Sequence, residues 1–466
     1  MPRKPNLIIF LPDQQRADTI GNPEVHAASL TKLASESVVF ERAYVTHPVC
    51  TPSRSSLMTG LWPHMTGCTR NSVPLPNESR VLPELLDDSD YRTAYMGKWH
   101  LGAEGFPQRG FQEWISTEIV GPYTEFLVSN GQKPDKKNGG FSELEVSRLP
   151  LELSKPKFLE THACEFIRKH RADPFLLVVA FVEPHSPYNG PLNNRHPLSE
   201  IELDPSATEP LSENTPLRYR LMREWQQSEA ALDRQRRGMQ YFFAITPEGY
   251  RSIRQRYLGL ITMVDRSIAR ILACVEDEGV AEDTVVVHTS DHGDMLGAHQ
   301  LFGKEVMFEE SVRVPWLIRI PGQPSRTIPQ PVSHIDFVPT LLDLLGKPKP
   351  NQLPGKSLVL LMRETVAPEN VFIEWAPNRI KIKKRSALAW RWRAKRAMNE
   401  STRAVVSPDG WKLCLRDKDL NELYNLNDDP CERRNLFGRG ECAAVTSRFS
   451  EEIRRWQESV EDPLKL

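Results

Sequence analysis

The stretch Asn6-Leu7-Ile8-Ile9-Phe10-Leu11-Pro12-Asp13-Gln14, "NLIIFLPDQ", sets an unbroken apolar run directly before two polar residues. A short run of this kind, without polar alternation, is typical of a strand buried on both faces, as in a parallel sheet covered by helices. Pro12 cannot donate a ladder hydrogen bond and therefore ends the strand. The stretch predicts an α/β fold in which this strand delivers Asp13 and Gln14 to one edge of the sheet.

Three later segments repeat the pattern of an apolar run followed by polar residues. They are "YRTAYM" before Lys98 and His100, "FLLVVAFV" before His185, and "TVVVHTS" before Asp291 and His292. In open α/β sheets, ligands bind beyond the carboxyl ends of the strands. Four strands that each lead into Asp, Lys or His are therefore expected to converge on one site.

The sequence also carries two clear helix signals. Residues 250–279 place apolar side chains at spacings of three and four and end at Gly279, a residue suited to a helix C-terminus. Residues 336–345 predict a second helix, stopped by Gly346. These helices would cover the faces of the predicted sheet.

The composition changes along the chain and indicates two units. We expect a catalytic domain over residues 1–364, with a polar insertion at about 192–249 lying over the site. A smaller C-terminal α+β domain with an antiparallel sheet is expected over residues 365–466, after a segment rich in Pro and Gly. Within it, "SPDG" at 407–410 between two β-prone runs predicts a hairpin.

Charge and cysteine content limit the class of protein. The 466 residues carry 60 Lys and Arg against 61 Asp and Glu, a net charge of −1, which does not indicate affinity for nucleic acid or a membrane. The apolar runs are far shorter than a bilayer span, and the one near the N-terminus is too short for a signal peptide. Seven cysteines without CxxC spacing favour a reducing compartment. We expect a cytoplasmic protein, and a homo-oligomer is compatible with the sequence.

The segment "HPVCTPSRSSLMTG", residues 47–60, raises three hypotheses for Cys50. A buried apolar thiol is the usual state of a cysteine in a core. A cysteine-dependent phosphatase would need arginine six positions after the thiolate, but position 56 is Ser and Arg54 comes two residues early. That hypothesis fails on spacing. The third hypothesis is that Cys50 is the precursor of a modified residue.

The segment Cys50-Thr51-Pro52-Ser53-Arg54 matches the C-x-P-x-R signature of the sulfatase family, and the residues from Ser55 to Gly60 are similar to the family's next six positions. The elements "GKWHLG", "PHSPY", "TSDHGDMLGAH" and "LFGKEVMFEESVRVP" appear in the family's order, and "DGWKL" and "NELYNLNDDPCERRNL" resemble its closing segment. The resemblance extends over nearly the whole chain. It implies an alkaline-phosphatase-like sandwich, with a large mixed, mainly parallel sheet between helices.

The resemblance implies that Cys50 is oxidised to Cα-formylglycine. A formylglycine-generating enzyme would read Thr51-Pro52-Ser53 during maturation. A plain thiolate attacking sulfur would leave a stable thiosulfate ester, whereas an aldehyde hydrate offers one hydroxyl to attack and a second to expel the sulfate. Arg54 is then expected to hold the hydrate oxygens by charge-assisted hydrogen bonds.

The resemblance also implies one divalent cation. Its ligands would be Asp13, Gln14, Asp291 and His292, together with the formylglycine oxygen of residue 50. Many members have Asp-Asp where this chain has Asp13-Gln14, so the site loses a negative charge but keeps a hard oxygen ligand. Calcium is the family's usual ion, and the His292 nitrogen also suits Mn²⁺ or Zn²⁺.

Four further residues are expected to act on the substrate. Lys98 and His100, two residues apart on extended chain, would point the same way. Lys98 would neutralise a sulfate oxygen, and His100 would take the proton when the hydrate collapses. His185 and Lys304 are expected to contact the sulfate and help to protonate the leaving oxygen. Asp291 is also a candidate base for the attacking hydroxyl.

We therefore expect a sulfatase that converts the sulfate ester of a small molecule or saccharide to an alcohol and inorganic sulfate. A phosphonate monoester or phosphodiester hydrolase with the same nucleophile is the alternative, because sulfate and phosphoryl oxygens ask for similar cationic groups. A non-catalytic binding protein is the less favoured alternative, because it would not need this complete set of catalytic residues.

Other polar residues near the motifs have weaker assignments. His299 and Asn71 are candidates to reach the site, whereas His288, His64 and Arg313 are interpreted as structural. The run "RIKIKKRSALAWRWRAKR", residues 379–396, is interpreted as a solvated or subunit-facing surface. The alternative is that it borders the cleft and attracts polyanionic substrates.

Overall fold

A nine-stranded sheet lies at the centre of the protein. The computed structural model describes residues 4–228, 246–364, 366–378, 388 and 390–466. The strands of the sheet are β1 (Asn6–Phe10), β2 (Val38–Tyr44), β3 (Arg92–Gly97), β4 (Glu113–Ile115), β5 (Phe175–Ala180), β6 (Thr284–Thr289), β7 (Arg313–Val314), β8 (Trp316–Arg319) and β9 (Arg326–Ser333). Their order is β4-β3-β5-β1-β6-β8-β2-β7, with β9 paired to β2.

The four strands predicted from the sequence are neighbours in this sheet. The strands β3, β5, β1 and β6 pair in that order and are all parallel, so that Leu7 of β1 is in register with Leu176 on one side and Val285 on the other. The strands β7 and β8 add antiparallel pairs. The sheet is thus mixed and mainly parallel, as predicted, and its four central carboxyl ends share one edge.

Helices cover both faces of the sheet. Alternate side chains of β1 enter two cores: Ile8 and Phe10 join the first, and Leu7 and Ile9 join the second. Burial on both faces explains why this strand is apolar without alternation. The helices are α1 (Ala28–Ser35), α2 (Cys50–Thr59), α3 (Pro63–Thr66), α4 (Leu82–Leu86), α5 (Pro122–Ser129), α6 (Glu143–Val146), α7 (Lys155–His170), α8 (Leu217–Gln226), α9 (Pro247–Asp277), α10 (Glu309–Val312), α11 (Phe337–Leu344), α12 (Val359–Arg363), α13 (Arg391–Met398) and α14 (Ala443–Ser459).

Both predicted helices are present. The first, α9, begins at Pro247 rather than at Tyr250, because the Thr246 side chain accepts a hydrogen bond from the Gly249 amide and caps the helix there. The second is α11. Each is followed by the predicted glycine in the left-handed region, with φ of 68° at Gly279 and 70° at Gly346.

A second, four-stranded antiparallel sheet follows the first. It is formed in sequence order by β10 (Val371–Trp375), β11 (Thr402–Val406), β12 (Trp411–Arg416) and β13 (Glu422–Asn425), and α14 packs against it. The predicted hairpin joins β11 to β12, and the Ser407 amide donates to the Trp411 carbonyl at 2.8 Å. The antiparallel C-terminal sheet is confirmed, and the boundary at residue 365 stays a prediction.

Three further features bear on the expectations above. The seven cysteines are free. Within the described ranges, no helix combines the length and the apolar character needed to span a bilayer. Of the basic run, residues 379–387 and 389 lie outside the described residues, and the rest forms Leu388, Trp390 and most of α13.

Candidate active site

Cys50 is the first residue of α2 and directly follows the extended residue Val49. Every residue of this helix is buried, although most of them are polar. Two hydroxyls bond within the helix, since Ser55 Oγ donates to the Pro52 carbonyl and Thr59 Oγ1 to the Ser55 carbonyl, each at 2.7 Å, whereas Thr51 Oγ1 donates to the His100 carbonyl at 2.9 Å. A buried polar helix adds little apolar burial, so its composition indicates a site rather than a core.

Three nitrogen atoms surround the Cys50 sulfur. Lys304 Nζ lies 3.1 Å from Sγ, His292 Nε2 3.2 Å and Lys98 Nζ 3.9 Å. Burial opposes ionisation, but Lys304, Lys98 and His292 outweigh it and hold the pKa of the Cys50 thiol well below its ordinary value. Sγ stands where a side-chain oxygen of a formylglycine would stand. The surroundings therefore favour negative charge at the tip of residue 50.

Arg54 joins the two carboxylates beneath Cys50. Its Nε donates to Asp291 Oδ2 at 2.7 Å, its Nη2 lies 3.4 Å from Asp13 Oδ2, and its Nη1 donates to the Lys98 carbonyl at 2.7 Å. Lys98 Nζ also lies 2.5 Å from Asp13 Oδ2. Burial works against the charge, but cations led by Lys98 hold the pKa of Asp13 below its usual range. The predicted contact of Arg54 with hydrate oxygens stays a prediction.

Four side chains beside this guanidinium form a potential metal site. Asp13, Cys50, Asp291 and His292 each offer a ligand atom, and these atoms lie within 4.8 Å of one another. The Oδ2 atoms of both aspartates face Arg54, and their Oδ1 atoms lie 3.6 and 3.7 Å from His292 Nε2. His292 Nδ1 lies 3.0 Å from the Gly293 carbonyl, which assigns the ring proton to Nδ1 and leaves Nε2 to bind an ion. This donor set fits one divalent cation.

Gln14 follows Asp13 in the left-handed region, with φ of 71°. Its Oε1 accepts from Lys304 Nζ at 2.8 Å, and its Nε2 donates to Tyr188 Oη at 3.0 Å and to Asp294 Oδ2. Its backbone N–H donates to Asp291 Oδ1 at 3.0 Å. The amide oxygen is therefore turned toward the Lys304 ammonium, and its expected contact with a metal ion stays a prediction.

Asp294 and Tyr188 also belong to the site, although they were not predicted from the sequence. Asp294 is fully buried, and its Oδ1 accepts from the amides of Leu296 and Gly303 at 2.9 and 3.0 Å. Its Oδ2 accepts from Tyr188 and Gln14. The only signal was a further acidic residue in "SDHGD", three positions after Asp291. Asp294 thus connects the Gln14 amide to the loop that precedes Lys304.

Gly97 fixes the position of the Lys98-x-His100 element. A Cβ at Gly97 would lie 1.9 Å from the Ala180 carbonyl oxygen, and φ is +110°, so only glycine permits this approach of β3 to β5. His100 has φ of +58°, so the expected extended conformation is wrong and the chain turns at this residue. The His100 side chain still helps to lower the pKa of the Cys50 thiol.

His185 lies at the same edge of the sheet, after β5. Its Nδ1 is 2.7 Å from the Ser186 carbonyl, and its charge helps to lower the pKa of Asp13. It lines a cavity together with Glu183 and Lys155. The structure therefore places His185 with the other predicted residues, and its contact with a sulfate stays a prediction.

Residues distant in sequence support the loop that carries Lys304. Asn378, three residues beyond β10, donates to Glu305 Oε1 at 2.7 Å and accepts from the Asn71 amide at 3.3 Å. Arg218 of α8 donates to the Glu305 carbonyl. The predicted insertion and the second sheet thus both reach the site, through two residues that no sequence motif predicted.

Of the two candidates Asn71 and His299, the structure places only the first at the site. Asn71 reaches the site, since its Oδ1 accepts from the Thr51 amide at 3.1 Å. His299 stacks on Phe308, with ring centroids 3.8 Å apart, and burial lowers the pKa of its ring to about 4. His299 therefore belongs to the packing around the loop.

The three residues interpreted as structural have structural contacts. His288 is fully buried in β6, and its Nε2 lies 3.0 Å from Gln15 Oε1. His64 bonds to a carboxylate of β10 and, at 2.9 Å, to the Val460 carbonyl. Arg313 forms an ion pair of 3.5 Å within its own segment. These residues connect elements of the fold.

The arrangement as a whole is suited to act on an anionic ester. Buried Lys98 and partly buried Lys304 supply positive charge in a setting where a preorganised charge is worth more than in water. The carboxylates of Asp13 and Asp291 offer ligand oxygens for a cation beside them. Histidines at positions 100 and 185 can hold or release a proton.

Comparisons with known proteins agree with this geometry. Uncharacterized sulfatase YidJ of Escherichia coli K12 is 28% identical over 483 residues, covering 99% of this chain and 89% of that protein. N-acetylglucosamine-6-O-sulfatase of Bacteroides thetaiotaomicron is 26% identical over 506 residues, covering 99% and 87%. The solved phosphonate monoester hydrolase of Agrobacterium radiobacter has the same fold, with a TM-score of 0.79 at 24% identity, covering 98% of this chain and 96% of that one.

Two protein-family models match this chain. Residues 297–459 match the family described as N-sulphoglucosamine sulphohydrolase, C-terminal. Residues 5–347 match the family described as Sulfatase, which takes in the central sheet and every predicted site residue from Asp13 to Lys304. Sequence motifs, fold and family match agree, and the chain belongs to the sulfatase family.

Proposed function

We propose that this sulfatase uses a formylglycine formed from Cys50, with one divalent cation, to hydrolyse the sulfate ester of a small molecule or saccharide. One observation carries the proposal: Lys304 Nζ, His292 Nε2 and Lys98 Nζ lie within 3.9 Å of the Cys50 sulfur. Such a convergence of nitrogen donors and cations on one side chain suits an anionic group that is bonded to that side chain during the reaction.

Two groups would complete the site. When formed, the aldehyde hydrate of residue 50 supplies a hydroxyl to attack sulfur and a second hydroxyl to release the sulfate. When bound, a cation held by Asp13, Gln14, Asp291 and His292 supplies further positive charge against the sulfate oxygens. We propose calcium, the family's usual ion, with Mn²⁺ and Zn²⁺ as the alternatives that the His292 nitrogen allows.

The two lysines would hold the sulfate. Burial lowers the pKa of the Lys98 ammonium, but Asp13 and Cys50 outweigh it and raise the pKa above its ordinary value, so that Lys98 stays charged. Lys304 Nζ is oriented by Gln14 Oε1 at 2.8 Å. Both ammonium groups are thus fixed before the substrate arrives, which avoids reorganisation during the reaction.

The two histidines would move protons. His185 Nδ1 is engaged with the Ser186 carbonyl at 2.7 Å, so Nε2 is the atom that could carry a proton to the leaving alcohol oxygen. His100 helps to lower the pKa of the Cys50 thiol, and its Nδ1 is buried without a partner among the described residues. We assign to His100 the proton released when the hydrate collapses.

A sulfated saccharide is the proposed substrate class. The name of one relative, an N-acetylglucosamine-6-O-sulfatase, supports it. The fold shared with a phosphonate monoester hydrolase, together with Gln14 in place of a second aspartate, keeps phosphonate monoesters and phosphodiesters as the second candidate.

Side-by-side kinetics on fully matured protein test the proposal. We expect the highest kcat/KM on p-nitrophenyl sulfate, compared with a p-nitrophenyl phosphodiester and a phenylphosphonate ester, and no turnover in Cys50→Ala. The peptide containing residue 50 should be lighter by about 18 Da than its cysteine form, because an aldehyde replaces the thiol. Full activity with wholly unmodified cysteine would overturn the nucleophile. A preference for the phosphonate would establish the second candidate.

A further inference from the structure

We propose that the exposed face of α13 binds a sulfated polysaccharide outside the catalytic cleft. This basic aromatic face is formed by Trp390, Arg391, Trp392, Arg393, Lys395 and Arg396. Trp390 is 81% exposed and Trp392 is 68% exposed. Tryptophan side chains usually stabilise a fold by being buried, and these two are not. Exposed aromatic patches of this kind mark interaction sites.

The helix itself is held firmly, so the face is directed outward by packing. Ala394, Ala397 and Met398 are buried, and they share a core cluster with Leu217 and Leu221 of α8. These three inward residues occupy one side of α13, and the cations and tryptophans occupy the rest. The exposure of the aromatic rings is therefore a property of the folded helix.

Within the described part of the chain, the cations of this face have no acidic partners. Across the described parts of the chain, no carboxylate forms an ion pair with Arg391, Arg393, Lys395 or Arg396. Arg218 on the neighbouring α8, in contrast, is paired with Glu400 at 2.8 Å. Four like charges within two helical turns repel one another, and a polyanion would relieve that repulsion.

The chemistry of the face favours sulfated sugars among polyanions. Guanidinium groups bind tetrahedral oxyanions through paired hydrogen bonds, and flat indole rings lie well against the apolar faces of sugar rings. This choice rests on the proposed function, because the same molecule would then act on sulfate esters. The location agrees, since α8, on which α13 packs, sends Arg218 to the loop that carries Lys304.

Binding to heparin and to dextran sulfate, used as probes, tests the proposal. The variant R391Q/R393Q/K395Q/R396Q should lose at least about tenfold in affinity and show a weaker salt dependence, and W390A/W392A should lose several-fold with the salt dependence kept. Turnover of p-nitrophenyl sulfate should be unchanged in both variants. K133Q/K137Q/R363Q/R434Q, which removes four exposed charges elsewhere, is the matched control and should keep its affinity.

Several results would overturn the proposal. An equal loss of affinity in the control variant would show that binding depends only on the net charge of the protein. Equal affinity for single-stranded RNA or for anionic vesicles would assign the face to another partner. A changed oligomeric state in the variants would make it a subunit interface. If the protein does not hydrolyse p-nitrophenyl sulfate but the variants still lose affinity for the polysaccharide, the proposed function is wrong and the binding face is confirmed.

Discussion

Asp294 fixes the orientation of the Gln14 amide. Gln14 Nε2 donates to Asp294 Oδ2, and a carboxylate can only accept, so Gln14 Oε1 is turned to Lys304 Nζ at 2.8 Å. Rotation of the amide by half a turn would bring its oxygen against the Asp294 carboxylate and its N–H groups against an ammonium. A residue that would contact no substrate thereby selects the atom that Gln14 presents to a cation.

A swap of this pair tests that relationship. Asp294→Asn should weaken Ca²⁺ binding by about tenfold or more, because an amide cannot accept on both of its sides. Gln14→Glu should also weaken it, since two carboxylates would then face each other. The double variant Q14E/D294N restores a donor opposite an acceptor and should recover most of the affinity. Calorimetric titration of metal-free protein measures all four proteins, and simply additive losses would contradict the assignment.

Removal of either central carboxylate should remove the metal. Asp13→Asn and Asp291→Asn each replace a charged ligand by an amide, and we expect loss of bound metal and of most activity. Elemental analysis of the purified variants gives the metal content, and chelation of the unmodified enzyme should reproduce the loss of activity. A chelated, metal-free enzyme that keeps its rate would show that the assignment of these ligands is wrong.

Arg54 should be essential for stability. It is 1% exposed and is bonded to the buried carboxylates of both Asp13 and Asp291, so Arg54→Met would remove a charged partner from two buried carboxylates at once. We expect the free energy of unfolding of metal-free protein to fall by about 3 to 5 kcal/mol. Urea denaturation measures it. Arg448→Met, at an exposed pair with Asp409, should cost less than about 1 kcal/mol, and an equal cost would refute the argument.

The bond between His64 and Glu374 should make stability depend on pH. Burial lowers the pKa of His64, but Glu374 outweighs it and raises the pKa above the ordinary value of 6.5. A histidine whose pKa is raised in the folded state stabilises the fold fully at pH values below its pKa in the unfolded state. This stabilisation is lost as the pH rises through the pKa of the folded state. His64→Gln should therefore be destabilised by on the order of 2 kcal/mol at pH 5.5, with the difference shrinking by pH 9. A difference that grows with pH would contradict this.

The sequence predicted the location of the site better than its supporting contacts. Asp13, Lys98, His185 and Asp291 follow four buried strands, and a local pattern suffices there because parallel strands end at one edge. Asn378 and Asn71 are 307 residues apart, and no periodicity encodes their contact. The contacts of Arg54 with Asp13, Asp291 and the Lys98 carbonyl were not predicted, because that geometry depends on three separate segments.

Burial of the signature segment bears on when the protein becomes active. Cys50 and Arg54 are 1% exposed, and Thr51 and Ser53 are fully buried inside α2. A modifying enzyme must hold this segment in its own cleft, and folded α2 offers it no access. Under the function proposed above, oxidation of Cys50 has to precede closure of the fold. The fraction of active molecules would then depend on the rate of oxidation relative to the rate of folding, and a chain that folds first would keep an inert thiol.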